Sequence, residues 1–415
     1  MTVEFRELVR AFTRIGLLSF GGPAAQIAVM HRELVEERPW LSEQQFLNAL
    51  SFCMLLPGPE AMQLATYSGW RLYGTLGGLI AGLLFVIPGA LVMLALVALY
   101  AWLGSVPLVE AVFLGIKATV VIIVLEALLK VSRKALKGAD KWVIAGLSFV
   151  SIFFFAAPFP LIILAAAIYG AWRGGQTSEP APRLGKANTV RTVAIWGTLW
   201  WAPIALLWAS GNVFLTEIGL FFSKLAIVTF GGAYAVLAYM TQEVVQDRGW
   251  ISTAQMMDGL GLAETTPGPL ILVTEFVGYL AGYGAGGVAL AIAAALLTLW
   301  VTFIPCFLWI FAGAPYIDWI STRPRLTGAL SAIIAAVVGV ILNLSLWFAT
   351  HVFFGVVKTN IFGPITVLTP DFATLDLRAL ALAIGAGIML LRLKLDLILV
   401  LSISAGAGTA WTFLG

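Results

Sequence analysis

Residues 12–59 read FTRIGLLSFGGPAAQIAVMHRELVEERPWLSEQQFLNALSFCMLLPGP, and residues 222–269 read FSKLAIVTFGGAYAVLAYMTQEVVQDRGWISTAQMMDGLGLAETTPGP. A shift of 210 residues superimposes them without a gap. Phe20-Gly21-Gly22 falls on Phe230-Gly231-Gly232, Glu33 on Glu243, Arg38 on Arg248 and Trp40 on Trp250. Pro57-Gly58-Pro59 falls on Pro267-Gly268-Pro269, and 17 of the 48 positions are identical. Two unrelated apolar stretches agree at roughly a tenth of positions, and they do not align Gly, Pro, Arg and Trp. The chain is therefore a duplication, and the fold question is what one copy builds.

The match continues outward with small insertions. Gly77-Gly78 meets Gly286-Gly287, Pro88 meets Pro305, and Pro107 meets Pro324. Around this frame the 415-residue chain is 60% hydrophobic and 11% charged, whereas soluble domains carry about 25% charged residues. The solvent that suits such a chain is the bilayer. Fifteen tryptophans suit interfacial belts. A net charge of +3 gives no footprint for nucleic acid. Cys53 and Cys306 lie in apolar runs, and His31 and His351 are far apart, so neither disulfide nor metal-ligand spacing is present. Arg6, Arg10 and Arg14 among acidic residues do not read as a removed signal peptide.

Hydropathy places spans near 12–30, 43–73, 75–102 and 107–130, then a hairpin at 141–157 and 159–173 turned at Pro158-Phe159-Pro160. The repeat partners are near 221–241, 253–283, 284–313 and 324–350, and 378–391 and 396–413 follow a loop rich in Thr, Pro and Asp. The expected domains are a first repeat at 1–173, a polar linker at 174–190, a single unmatched span at 191–210 and a second repeat at 211–415. The expectation is an all-α integral membrane protein of about 13 segments. Lys and Arg placement orients it. Arg6, Arg10 and Arg14, the cluster Lys130 to Lys141, the linker from Arg173 to Arg191, Arg323 with Arg325, and Arg392 with Lys394 all fall inside in one arrangement. The N-terminus is then cytoplasmic, the C-terminus periplasmic, and the extra span at 191–210 inverts the second repeat. Inverted repeats of broken helices are the architecture of secondary transporters; duplicated channels and scaffolds are the rival class.

Each copy contains two helix breaks: the double glycine (Gly21, Gly22; Gly231, Gly232) and the P-G-P turn (Pro57, Gly58, Pro59; Pro267, Gly268, Pro269). Prolines flanking a glycine cannot continue a helix. Such backbone survives in a membrane only where protein buries it or it lines a watery cavity. The half-helix N-termini it creates attract anions. The breaks are thus read as an anion cradle, against the plainer reading of packing kinks. Arg14 aligns with Lys224, ahead of each double glycine; anchoring at the membrane face is the alternative for Arg14. Lys117 lies mid-span with Glu126 or Glu110 as its expected partner, either in a substrate site or in a structural ion pair. Glu60, Glu264 and Glu275 flank the P-G-P turns as proton carriers or as helix caps. Gln26, Gln63 and Asn343 are neutral donors for an oxyanion. Arg38 and Trp40, with Ser42, form a structural turn with a gating role open to it.

The run FGGP at 20–23, RPWLS at 38–42, LPGPEA at 56–61 and WRLYGTLGGLIAGLLFVIPG at 70–89 resemble the chromate ion transporter family. TFGGAY at 229–234 and TPGPL at 266–270 look like its paired second domain. The resemblance implies a two-domain bacterial inner-membrane protein that exports chromate and confers chromate resistance. Beside the resemblance, the reading takes no cofactor and an oxyanion such as chromate or sulfate as substrate, with the drive open between the proton-motive force (protons as partner) and anion exchange, and a homodimer as an open option. A general sulfate-like oxyanion transporter is the alternative. A membrane enzyme such as a chromate reductase is disfavoured, because the chain shows no dinucleotide fingerprint and no haem or cluster ligands. No Walker A motif is present.

Overall fold

The computed structural model describes residues 3–20, 22–103, 106–175, 188–230, 233–317 and 323–414. Most of the linker, and Gly21, Gly231 and Gly232, lie outside the described residues. The chain is overwhelmingly helical, and among the described residues five helices are long and apolar enough to cross a membrane. Several tryptophans stand exposed at helix ends, among them Trp102, Trp142, Trp172 and Trp208, where an aromatic belt meets the headgroups. The protein is an integral membrane protein.

The first copy runs through α1 (Phe5–Leu18), α2 (Gly22–His31), α3 (Glu43–Cys53), α4 (Glu60–Leu103) and α5 (Pro107–Ala135). A helical pair follows, α6 (Ala139–Phe155) and α7 (Phe159–Arg173), then α8 (Thr189–Ala209). The second copy repeats the series as α9 (Val213–Val228), α10 (Ala233–Thr241), α11 (Thr253–Thr265), α12 (Val273–Gly313) and α13 (Pro324–Phe353). It closes with α14 (Leu377–Gly387) and α15 (Leu397–Leu414). The span expected at 12–30 is two short helices, and that at 43–73 is α3 followed by the first arm of α4. At a rise of roughly 1.5 Å per residue, α1 and α3 reach only about 21 and 16 Å.

Local chemistry repeats at the same shift of 210. A π-helical turn follows α2 at Arg32–Glu37 and α10 at Gln242–Asp247. Ser42 and Ser252 cap α3 and α11 through reciprocal bonds with Gln45 and Gln255. Glu33 is clasped by Arg38, and Glu243 by Arg248 at 3.5 Å.

The two longest helices are each bent double. In α4 the helix breaks at Tyr73 and Gly74, the latter at φ 59. A Cβ on Gly69 would lie 2.3 Å from the Gly77 carbonyl, and one on Gly82 2.5 Å from Thr66 Oγ1. Pairs centred on residues 73 and 74 define antiparallel arms in near-backbone contact, which only small residues permit. In α12 the break is at Gly286 and Gly287, with Gly278 against Thr298 and Gly282 against Ala291.

Among the described residues, one departure from an all-α chain occurs in the loop after α13. Residues Val357–Phe362 (β1) and Ile365–Pro370 (β2) pair antiparallel. Gly363 at φ 60 supplies the positive φ that a two-residue hairpin needs, and Val, Ile and Thr suit the strands.

The helices gather into two compact units, each drawing on both repeats. One comprises residues up to Ala98, Gly175–Val236 and Thr266–Leu326, where α8 and α9 pack on α12. The other comprises Leu99–Gly174, Leu237–Thr265 and Thr327 onward, where α5 packs against α11, α14 and α15.

Candidate functional site

The broken segments meet inside the first unit. After α1, Ser19 is fully buried, its hydroxyl donating to Ile15 O at 2.6 Å. After α9, Thr229 is buried likewise, its hydroxyl donating to Leu225 O at 2.5 Å. These two carbonyls accept from the opposite repeat. Gly58 N donates to Thr229 O at 2.8 Å, and Gly268 N donates to Ser19 O at 2.8 Å. Ser19 and Thr229 differ by 210 positions, as do Gly58 and Gly268. Each P-G-P turn is therefore stitched to the residue preceding the other repeat's Phe-Gly-Gly. Gly58 at φ 118 and Gly268 at φ 84 hold backbone that other residues rarely adopt. A Cβ on Gly89 in the long arm of α4 would lie 2.1 Å from the Pro267 carbonyl, so the second turn is also wedged against a helix.

Two glutamines, both from the first repeat, finish the turns. Gln26 is buried on α2 and donates Nε2 to Gly268 O at 2.6 Å. Gln63 is buried on α4 and donates Nε2 to Pro57 O at 2.7 Å. Their amide orientations are fixed because a carbonyl only accepts. Both Oε1 atoms then lack a hydrogen-bond partner among the described residues. At the equivalent positions the second repeat has the buried Val236 and Val273. The crossing is symmetric in its backbone and asymmetric in its polar side chains.

Glu275 lies in the first turn of α12, 1% exposed, and its Oε2 has no hydrogen-bond partner among the described residues. Glu60 opens α4 and is half-buried. Gly22 takes φ 78 at the start of α2. Lys224 is exposed on α9. Arg14 is half-exposed and reaches Glu33 at 3.1 Å and Glu37 at 3.4 Å. With Arg38 also on Glu33, this buried carboxylate carries two cations, and Trp40 N donates to Leu34 O just beyond.

The second unit holds the other charged group. Lys117 Nζ on α5 lies 2.9 Å from Asp258 Oδ1 on α11. Tyr100 OH donates to Asp258 Oδ2 at 2.7 Å. Lys117 was expected to pair with Glu126 or Glu110; Glu126 instead holds Lys130 one helical turn away at 2.6 Å. Asp258, 5% exposed, escaped the sequence reading because its counterpart in the first copy is the uncharged Asn48. Glu264, buried near the end of α11, belongs to this unit as well. Ser19 and Thr229 were also missed, although a hydroxyl before Phe-Gly-Gly in both copies was a visible signal.

The family described as Chromate transporter matches residues 6–171 and 216–409, leaving out the linker and α8. The chain belongs to the chromate transporter family. The Chromate transport protein of Cupriavidus metallidurans is 32% identical over 353 residues, 82% of this chain and 81% of that protein. The Chromate transport protein of Pseudomonas aeruginosa is 32% identical over 348 residues, 82% and 80% of the two chains. A relative from Bacillus subtilis, the Uncharacterized transporter YwrA, is 31% identical over 166 residues, which are 39% of this chain and 93% of its own length. No solved structure matches. Membership in the chromate transporter family makes the protein a transport protein and not an enzyme. The matched ranges contain both P-G-P turns and both double glycines.

Proposed function

We propose that the chain exports chromate across the bacterial inner membrane as a secondary transporter, with the substrate held where the P-G-P and Phe-Gly-Gly turns cross. The observation that carries this reading is the exchanged pair of hydrogen bonds, Gly58 N to Thr229 O and Gly268 N to Ser19 O. A pair of equivalent, mutually bonded breaks is what alternating access needs, because the two halves can trade conformations around one site. The substrate follows from the relatives named chromate transport protein.

The inverted arrangement rests on the Lys and Arg clusters and on the single span between the copies. The Bacillus subtilis relative, matched over 166 residues that are 93% of its own length, has the size of one repeat, which supports the same division. Gly21, Gly22, Gln26, Gln63, Gly231 and Gly232 complete the cradle with the two P-G-P turns. Glu275, buried beside them in the chain, is the first choice for proton coupling, ahead of Glu60 and Glu264. A dianion leaving a negative-inside cell moves down the electrical gradient, at about 2.3 kcal/mol per charge per 100 mV.

The direction is tested in intact cells. Cells expressing the protein and loaded with labelled chromate are expected to accumulate less than vector controls, and to lose the difference when the membrane potential is collapsed. Greater accumulation than the control would reverse the direction. A difference abolished by equimolar sulfate would recast the protein as a general oxyanion carrier.

A further inference from the structure

The second unit contains two cavities whose walls share a chemical bias. The larger, about 520 Å³, is lined by Lys117, Thr253, Ala254, His351 and apolar neighbours. At about 30 Å³ per water it has room for a tetrahedral oxyanion with part of its hydration shell. The smaller, about 270 Å³, lies under the β1–β2 hairpin and is lined by Thr241, Gln242, Gln246, Asn343, Thr359 and Thr366, among others. Thr253 and His351 line both. Among the described residues, neither wall includes an Asp or a Glu, although the chain has 21 of them.

Lys117 stands between the larger cavity and a buried acid. Its side chain is 20% exposed while its ammonium touches Asp258, whose side chain is 7% exposed. An ammonium has three donors, so one can serve the carboxylate while others serve a ligand in the cavity. Asp258 also accepts from Tyr100, so it keeps a donor when Lys117 turns away. His351 Nδ1 lies 2.8 Å from the Trp347 carbonyl, which fixes its proton there.

We propose that the two cavities form an anion vestibule, in which neutral donors beneath the hairpin admit a tetrahedral oxyanion and Lys117 binds it in exchange for Asp258. The site is additional to the crossing of broken helices and deepens the transport reading, on which it rests. Asp258 acts as a stand-in anion: it holds the lysine oriented while the vestibule is empty, and an incoming dianion competes for the same ammonium.

Equilibrium binding of labelled chromate to the purified full-length protein tests this, alongside flux in proteoliposomes. Lys117→Gln is expected to weaken binding at least tenfold, and Lys117→Arg to retain most of it. Asp258→Asn removes the competitor and keeps a partner for Tyr100, so binding is expected to tighten several-fold. Ala254→Asp sets a carboxylate in the wall, one helical turn before Asp258, and is expected to weaken binding with an unchanged unfolding temperature. Binding by Lys117→Gln or Ala254→Asp within twofold of wild type would overturn the vestibule, as would Asp258→Asn binding as poorly as Lys117→Gln. Wild-type flux that persists unchanged in all these variants overturns the vestibule alone. Absence of wild-type binding and flux overturns the transport reading with it.

Discussion

Gly58 donates its backbone N–H to the carbonyl of Thr229 at 2.8 Å, and 210 residues later Gly268 repeats the bond to Ser19. A duplicated chain could have folded as two copies side by side. Here each copy's proline-glycine turn is completed by the other, so neither break has its backbone satisfied alone. This interdependence explains how two interruptions per copy survive in an apolar setting where an unpaired N–H is costly.

Glycine substitutions at the crossing should separate backbone strain from packing. A Cβ at Gly58 meets Gln63 Nε2 at 2.8 Å and Cys306 Sγ at 2.9 Å at a φ of 118. At Gly268 the nearest atom is 3.2 Å away, and at Gly22 nothing lies within 4 Å. Positive φ alone costs an L-residue roughly 1–2 kcal/mol. The expected order of destabilisation is therefore Gly58→Ala, then Gly268→Ala, then Gly22→Ala, read as unfolding temperatures of the detergent-purified variants. Gly89→Ala has ordinary helical backbone but collides with Pro267 O, so it should impair transport by displacing the turn. An unfolding temperature and flux equal to wild type for Gly89→Ala would show that the turn yields freely.

The two glutamines carry the asymmetry between the repeats. Gln26→Val and Gln63→Val convert each position to the residue of the second copy. Each leaves a turn carbonyl without its amide donor, at a cost of about 1–3 kcal/mol. Chromate flux should fall at least tenfold, equivalent to about 1.4 kcal/mol, while folded protein is still recovered. Val236→Gln is not expected to rescue Gln26→Val, because it lies in the other copy. Rescue would mean that the two halves of the crossing are interchangeable.

The arginine clasps should differ in strength. Glu33 is fully buried and held by Arg38 and Arg14. Glu243 is more open, and Tyr239 OH also donates to it at 2.7 Å. Removing one partner of a buried carboxylate costs more than removing one from an open site. Arg38→Ala should therefore destabilise by about 1–3 kcal/mol, and Arg248→Ala by clearly less, in matched thermal denaturation.

A pH effect is expected at the turn after α2. His31 bridges Glu43 at 2.7 Å and Glu36 at 3.0 Å. The hydrogen bond to Glu43 leads the causes that raise its pKa above the usual histidine value near 6.5. The folded pKa exceeds the unfolded one, so the bridge contributes fully below the unfolded value and is lost as pH rises through the folded one. After correction for intrinsic rates, amide exchange in 32–43 should speed up across that rise and not in His31→Gln. Equal protection in both proteins at every pH would remove the bridge as a cause.

Much of this was legible in the chain, for identifiable reasons. The P-G-P turns and the Ser-Gln caps are local chemistry, and the duplication showed each twice. The fold-back at Gly74 was close to the boundary drawn between the spans at 43–73 and 75–102. What stayed hidden was non-local. Lys117 and Asp258 are 141 positions apart and meet only because α5 packs on α11, and the repeat gave no mark at Asp258. The β1–β2 hairpin was hidden among Thr, Pro and Asp residues that read as a loop, its pairing set by one glycine at positive φ.

The most direct test of the account is labelled chromate flux into proteoliposomes of the purified protein under an imposed membrane potential, with sulfate as competitor. The account predicts saturable flux that follows the sign of the voltage, resists sulfate, and collapses in Gln26→Val. No flux under any imposed gradient, from protein shown to be folded, would contradict it.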